Sequence, residues 1–208
     1  MYDDVTSQLR KAYDRSAHDR QQRPQASWKI DERRAFLELL QKEGNERLLE
    51  IGAGPGKDSL YFQNHGLNVI STDLSPQMVE LCRAKGLEAY EMDFLNLDFP
   101  DSHFDAVYAL NCLLHVPKED LPAVLNAIRR IIEPNGLFFM AVYGGFEHEG
   151  IWANDQLEPK RFFAFYSDDQ LLKIITRVFQ LIDFKRIVIP NASHPDMIVQ
   201  RLLLRQNE

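Results

Sequence analysis

No apolar run in this 208-residue chain approaches the roughly 20 residues that span a bilayer. The first residues, Met1-Tyr2-Asp3-Asp4, lack the basic start and apolar stretch of a secretory signal. Cysteine is scarce. Cys82 and Cys112 both lie in apolar surroundings, which makes neither a disulfide framework nor a metal-ligand spacing. Positive charge is the minority sign, with 24 Lys and Arg against 31 Asp and Glu and a formal net charge of −7. An acidic surface repels phosphate backbones, so nucleic acid is disfavoured as a partner unless a local basic face escapes that average. Internal repeats and low-complexity tracts are also missing. What remains is 45% apolar and 11% aromatic, enough for a substantial core. The expectation is a soluble, cytoplasmic, single-domain protein with no membrane partner, acting as a monomer or homodimer.

Short β-branched or aromatic runs alternate with longer helical patterns. Residues 47–51 (RLLEI) form a mostly apolar run stopped by glycines, the mark of a buried strand, and the segment to His65 is a helix ended by Gly66. Residues 68–72 make a second strand. Ser75-Pro76 then supplies a helix N-cap with proline at the first helical position, and Gly86 closes that helix. Strands follow at 88–92 and 104–110. Residues 117–133 carry apolar side chains at helical spacing, Pro134-Asn135-Gly136 stops them, and a fifth strand occupies 137–143. Ser167 with Gln170 is a capping-box pair, and the runs 181–189 and 197–204 make an antiparallel pair. The alternation implies an α/β fold: a doubly wound, Rossmann-like, mostly parallel sheet of about seven strands. Helices cover both faces, and the C-terminal antiparallel hairpin lies at or near one edge. Residues 1–44 precede the main unit as a helical segment, with helices expected at 5–13 and 31–41, and residues 45–208 form the domain. Ligands of such sheets bind at the carboxyl ends of the strands, near the topological switch point.

The strongest local signal is Glu50-Ile51-Gly52-Ala53-Gly54-Pro55-Gly56. Glycines at alternate positions after a strand permit a tight turn and let backbone approach a ligand closely, while the next helix aims free amides at it. A phosphate-cradling nucleotide loop requires Gly, four residues and Gly-Lys-Ser/Thr. Here Asp58 follows Gly56-Lys57 and Ile51 stands at the first glycine position, so that reading fails twice. The dinucleotide fingerprint wants a third glycine where Lys57 stands, which weakens it without removing it.

Glu-x-Gly-x-Gly-x-Gly at the end of a first strand resembles the class I S-adenosylmethionine-dependent methyltransferases, and the resemblance runs from about residue 47 to 143. Asp73 ends the second strand 21 positions after Gly52. The resemblance implies that its carboxylate accepts from both ribose hydroxyls; a helix-capping aspartate is the alternative. Leu74 and Met78, in a D-x-S-x-x-M continuation, are candidates to lie against adenine, although Met78 also suits ordinary core packing. Asp93 and Phe94 match the acid that accepts from the adenine amine and the amide that donates to a ring nitrogen; the competing view is a turn aspartate. Asn111 opens the loop after the fourth strand, beside the methionine end of the cofactor, and Glu50 matches the acid tied to the methionine amine. With Gly52, Ala53, Gly54 and Gly56, these residues form the expected cofactor site. Tyr13 is a further candidate from an N-terminal segment, with Tyr2 and His18, that either covers the bound cofactor as a lid or packs as an ordinary helix.

The implied chemistry is methyl transfer from S-adenosyl-L-methionine to a small-molecule acceptor by in-line displacement, which requires alignment but no protein nucleophile. His115 follows the fourth strand and is the leading candidate base, with a buried, hydrogen-bonded histidine as the alternative. Tyr143, beside Gly144-Gly145, either lines the acceptor pocket or packs in the core. Residues 144–166, with Trp152, Phe162, Phe163, Phe165 and Tyr166, are expected to build that pocket. Glu147-His148-Glu149 reads as a solvated loop, and no metal site is expected. The loop at 111–114 keeps only the first residue of the Asn/Asp-Pro-Pro-aromatic pattern that marks methylation of nucleic-acid amines. Two rivals stand beside this reading: a nicotinamide-dependent oxidoreductase and a non-catalytic cofactor-binding protein.

Overall fold

The computed structural model describes residues 2–190, 192 and 194–207. Two helices come first, α1 (Tyr2–Gln22) and α2 (Ser27–Glu43). Both are longer than the sequence pattern indicates. The buried positions of α1 are Val5, Leu9, Ala12, Ser16 and Ala17, at helical spacing, but the last three are too small or too polar to register as an apolar stripe. The main unit then runs β1 (Arg47–Ile51), α3 (Lys57–Asn64), β2 (Asn68–Asp73), α4 (Pro76–Arg83), β3 (Glu88–Glu91) and β4 (Phe104–Leu110). It continues through a 3-10 turn at Leu113–His115, then α5 (Leu121–Ile131), β5 (Ile132–Gly144), β6 (His148–Ile151), β7 (Phe162–Phe165), α6 (Asp168–Ile175), β8 (Gln180–Val188) and β9 (Ile198–Arg205).

Seven strands form one sheet in the order β3-β2-β1-β4-β5-β9-β8. The first five are mutually parallel, and β9 is antiparallel to both β5 and β8. The antiparallel strand is therefore enclosed, and β8 holds the edge. Alternation along the central strands sorts side chains to two cores. Val107 and Ala109 of β4, with Phe138, Met140 and Val142 of β5, face the layer of α5 and α6. Ala106, Tyr108, Leu137, Phe139 and Ala141 face Phe36 and Leu40 of α2 and Phe62 of α3. Helices thus cover both faces, as the β/α alternation implies.

Three local expectations change. The helix expected at 117–133 is shorter, and β5 begins at Ile132, before Pro134-Asn135-Gly136. Asn135 takes a left-handed φ of 66° there, so the chain kinks and pairing with β4 shifts register instead of ending. The segment after β5 contains a separate two-stranded ribbon, β6–β7, whose Phe162–Phe165 strand is wholly buried. Finally, Val178 and Phe179 lie beyond the end of α6.

Candidate active site

The carboxyl ends of β1, β2, β4 and β5 converge where β2 and β4 leave β1 on opposite sides, which is where a doubly wound sheet opens a crevice. A cavity of about 400 Å3 lies there, lined by the 52–55 loop, Glu50, Asn111, His115, Tyr143, Arg161 and residues of the α1–α2 bend. A narrower cavity continues past Gly52 and Gly54 to Asp73, Leu74 and Phe94.

Each wall has a local cause. Gly52 and Gly54 hold left-handed φ values of 63° and 55°. A Cβ on Gly52 would lie 2.4 Å from the Cβ of Cys112, whereas one on Gly54 would meet nothing within 4 Å. Gly52 thus permits close packing against the β4 loop, and Gly54 faces open space. The Ala53 amide donates to the Thr72 carbonyl at 3.0 Å and ties the loop to β2. Asp73 accepts from the amides of Gly54 (2.8 Å) and Ser75 (2.9 Å), bracing the loop against the start of α4. Burial pushes its carboxyl up, while those amides and the Arg20 cation oppose the rise. Ser75 caps α4 through the Met78 amide, as its Ser-Pro signature implies.

Glu50 is 3% exposed and accepts a short hydrogen bond from the Ser59 hydroxyl. Burial pushes its carboxyl well above the ordinary carboxylate range, and the charge of Asp58 adds to the rise. A buried acid of this kind gains from a cationic partner. Asn111 adopts a left-handed φ of 55°, and its Nδ2 and Oδ1 are shielded from solvent without a hydrogen bond of normal geometry. Tyr143 lines the same cavity. Burial raises its hydroxyl pKa, opposed by the neighbouring Asn111 side chain.

His115 is buried with both ring nitrogens engaged. Its Nδ1 lies 2.7 Å from the Phe162 carbonyl, which can only accept, so Nδ1 carries the proton. Nε2 then accepts from the Tyr13 hydroxyl at 2.6 Å, and that hydroxyl accepts from Arg161 Nη1 at 2.9 Å. Arg161 is held by Asp155 through Nε (2.9 Å) and Nη2 (2.6 Å). Burial, then the Arg161 cation, pulls the imidazole down to about 3, so it is neutral near pH 7. The buried, hydrogen-bonded alternative for His115 is the one observed, and a free base at Nε2 would require Tyr13 to move.

Several expected residues stand elsewhere. Gly56 lines neither cavity; a Cβ there would lie 2.7 Å from Cys82 Sγ and Leu87 Cδ1, so this glycine serves the packing of α3 against α4. Met78 is 0% exposed and belongs to the core, because the apolar face of α4 turns inward. Asp93 accepts from the amides of Leu95 (2.8 Å) and Asn96 (3.1 Å) and from Asn96 Nδ2 (2.7 Å), which makes it a turn aspartate beside a small cavity formed with Tyr2, Leu74 and Phe94. His18 is exposed and contacts Gln22. Of the aromatics at 144–166, Phe163 lines the wide cavity, and Phe162, Phe165 and Tyr166 are buried in the core. His148 sits edge-on to Trp152, and Glu149 accepts from the Lys118 amide.

Sequence reasoning passed over Arg161, Arg20 and Lys29, all of which line the wide cavity. Arg161 lies beside the aromatic run that drew attention. The two N-terminal cations carry no local signal that separates a cavity wall from a solvated helix face.

Residues 49–140 match the family model described as a methyltransferase domain. Over that stretch the chain is similar to methyltransferase domains. Over 188 residues it is 28% identical to the demethylmenaquinone methyltransferase of Tropheryma whipplei, covering 85% of this chain and 71% of that one. Over 121 residues it is 26% identical to the phosphoethanolamine N-methyltransferase of Triticum aestivum, covering 55% of this chain. This chain spans only 24% of that wheat protein's length. Its fold matches the Burkholderia thailandensis 1,6-didemethyltoxoflavin-N1-methyltransferase, solved with 1,6-didemethyltoxoflavin and S-adenosylhomocysteine. That match has a TM-score of 0.76 at 22% identity and covers 100% of this chain and 91% of the other. Among the described residues no helix is long and apolar enough to cross a membrane, and no group of three or more His, Cys, Asp or Glu could hold a metal ion.

Proposed function

We propose that the protein transfers a methyl group from S-adenosyl-L-methionine to a small-molecule acceptor. The cofactor, when bound, supplies an electrophilic methyl on a sulfonium whose leaving group is a neutral thioether. The single observation that carries this reading is the pairing of Glu50 and Asp73 across one glycine loop. One buried acid asks for a cation, as the methionine ammonium provides, and one carboxylate at a strand tip suits ribose hydroxyls. Gly52, Ala53 and Gly54 present backbone along the cavity, Leu74 and Phe94 supply apolar surface for adenine, and the Asn111 side chain supplies donors and acceptors at the methionine end. By count, the Asp93 carboxylate retains one acceptor site beyond its three turn hydrogen bonds.

The acceptor would lie in the wide cavity, between Tyr143, Phe163 and the Tyr13 hydroxyl. His115, held neutral by burial and by Arg161, positions the Tyr13 hydroxyl beside that space. Residues 1–44 act as a lid: Tyr13 closes on His115, Asp14 accepts from Ser75 Oγ at 2.5 Å, and Arg10 pairs with Glu91 at 2.5 Å. The acidic net charge supports a cytoplasmic enzyme without a nucleic-acid or membrane partner.

Calorimetric titration with S-adenosylhomocysteine tests the reading. Asp73→Ala should weaken binding by about 1–3 kcal/mol, the scale of lost charge-assisted hydrogen bonds. An unchanged dissociation constant in a folded variant removes Asp73 from the site.

A further inference from the structure

The wide cavity is positive in a protein that is negative. Five cationic side chains line it, Arg20, Arg23, Lys29, Lys57 and Arg161, against two acids, Glu50 and Asp58. The acids are already engaged. Asp58 Oδ1 accepts from Arg33 (2.7 Å) and Gln25 (2.9 Å), and Glu50 accepts from Ser59. Two of the cations are engaged as well, Arg161 with Asp155 and Lys57 with the Arg23 carbonyl. Arg23 has no ion pair among the described residues, and Arg20 and Lys29 lie over the rings of Tyr13 and Trp28. Neither forms an ion pair among the described residues.

Both reach the cavity from the bend between α1 and α2, and both also line the narrower extension toward Asp73. Arg20 lies over the Tyr13 ring at 4.9 Å, and its Nε is buried without a partner. Burial lowers the Lys29 ammonium from its ordinary value, and the nearby Arg20 and Lys57 cations lower it further, against the opposing charge of Asp58. Two converging cations whose nearest acids, Asp58 and Asp73, already accept hydrogen bonds from other groups favour an anionic occupant in a half-enclosed space.

S-adenosylmethionine does not supply that balance. Its single carboxylate is outnumbered by its own ammonium and sulfonium, so its arrival adds net positive charge to an already positive cavity. We propose that the methyl acceptor is an anion, a carboxylate- or phosphate-bearing small molecule, whose charged group is received by Arg20 and Lys29. The inference rests on the methyltransferase reading for the word acceptor and on the cavity alone for the word anion. The shared chemistry is an oxyanion, and the other source of one is the carboxylate of the cofactor itself.

Calorimetry on the full chain separates these sources. Inorganic phosphate is titrated into the protein without and with saturating S-adenosylhomocysteine, at constant ionic strength, for wild type, the Arg20→Gln/Lys29→Gln double variant and the charge-conserving Lys29→Arg. The expected result is phosphate binding in both states, weakened about tenfold or more in the double variant, as for a lost charge-assisted contact, and retained in Lys29→Arg. Phosphate that fails to bind, or that binds the double variant equally well, overturns the proposal. So does a fall of about tenfold in S-adenosylhomocysteine affinity in the double variant when its decarboxylated analogue binds all three proteins alike, because the cations then serve the cofactor. If phosphate binding depends on the two cations while S-adenosylhomocysteine does not bind at all, the methyltransferase reading fails and the anion subsite stands.

Discussion

At His115 the side chain matters through what it refuses. Its ordinary pKa of 6.5 is pulled down to about 3 by burial and by Arg161. Below pH 6.5 the unfolded imidazole takes up a proton that the folded one does not. The stability it contributes is therefore complete above pH 6.5 and is lost as pH falls toward 3, by up to about 1.4 kcal/mol per unit. Urea unfolding at pH 7.5 and 5.5 should show this loss in the wild type and not in His115→Asn; an identical pH dependence in both proteins would dismiss it. The same side chain shows how far residue-level reading reaches. His115 stands out because it follows a strand at the right end of the sheet, and that position was legible. Its partners, Tyr13 and the Phe162 carbonyl, are 102 and 47 positions away, and no local pattern ties them to it. Gly56 and Met78 fit the cofactor motif by spacing, but a side chain on Gly56 would clash with Cys82 and Leu87, and the apolar face of α4 turns Met78 into the core.

Among the elements, α1 carries the most consequence for function. Its first turns pack Val5 and Leu9 onto the main core, and its later turns place Tyr13 and Arg20 in the cavity wall. A ligand that fills the narrow extension must touch this helix. Bound S-adenosylhomocysteine should therefore slow amide exchange across residues 2–22 and in the turn at 93–96, measured by mass spectrometry, and leave the β8–β9 edge unchanged. Equal exchange with and without ligand in residues 2–22 would discard the lid. The strands of the glycine-loop unit were readable because β-branched and aromatic runs end at glycine and proline. The β6–β7 ribbon was not, since Phe162–Phe165 is uniformly apolar and carries no period that distinguishes strand from core-filling loop.

For the molecule as a whole, the net charge of −7 and the positive cavity are one design viewed at two distances. A net acidic chain repels polyanions on average, whereas enclosed cations favour a small anion. Binding at such a site adds to global stability by mass action. S-adenosylhomocysteine at 100 times its dissociation constant should stabilise the fold by about 2.7 kcal/mol, a rise of roughly 5–10 °C in Tm for a chain of this size. A scanning-calorimetry shift below about 1 °C at that saturation would argue against a site built into the native state.

Chain order alone was enough for the strand–helix alternation, the Ser75 cap and the glycine loop with its acid at position 73, because backbone sterics and hydrogen-bond propensity act over a few residues. It was enough, too, for the resemblance to methyltransferases, which the family model matches over residues 49–140. Which of those residues face the crevice, that Tyr13 locks onto His115, and that Arg20 and Lys29 converge on one cavity without a salt bridge among the described residues arose from folding distant segments onto the carboxyl ends of one set of strands. Electrostatics and burial are properties of that shared space, and they have no period along the chain.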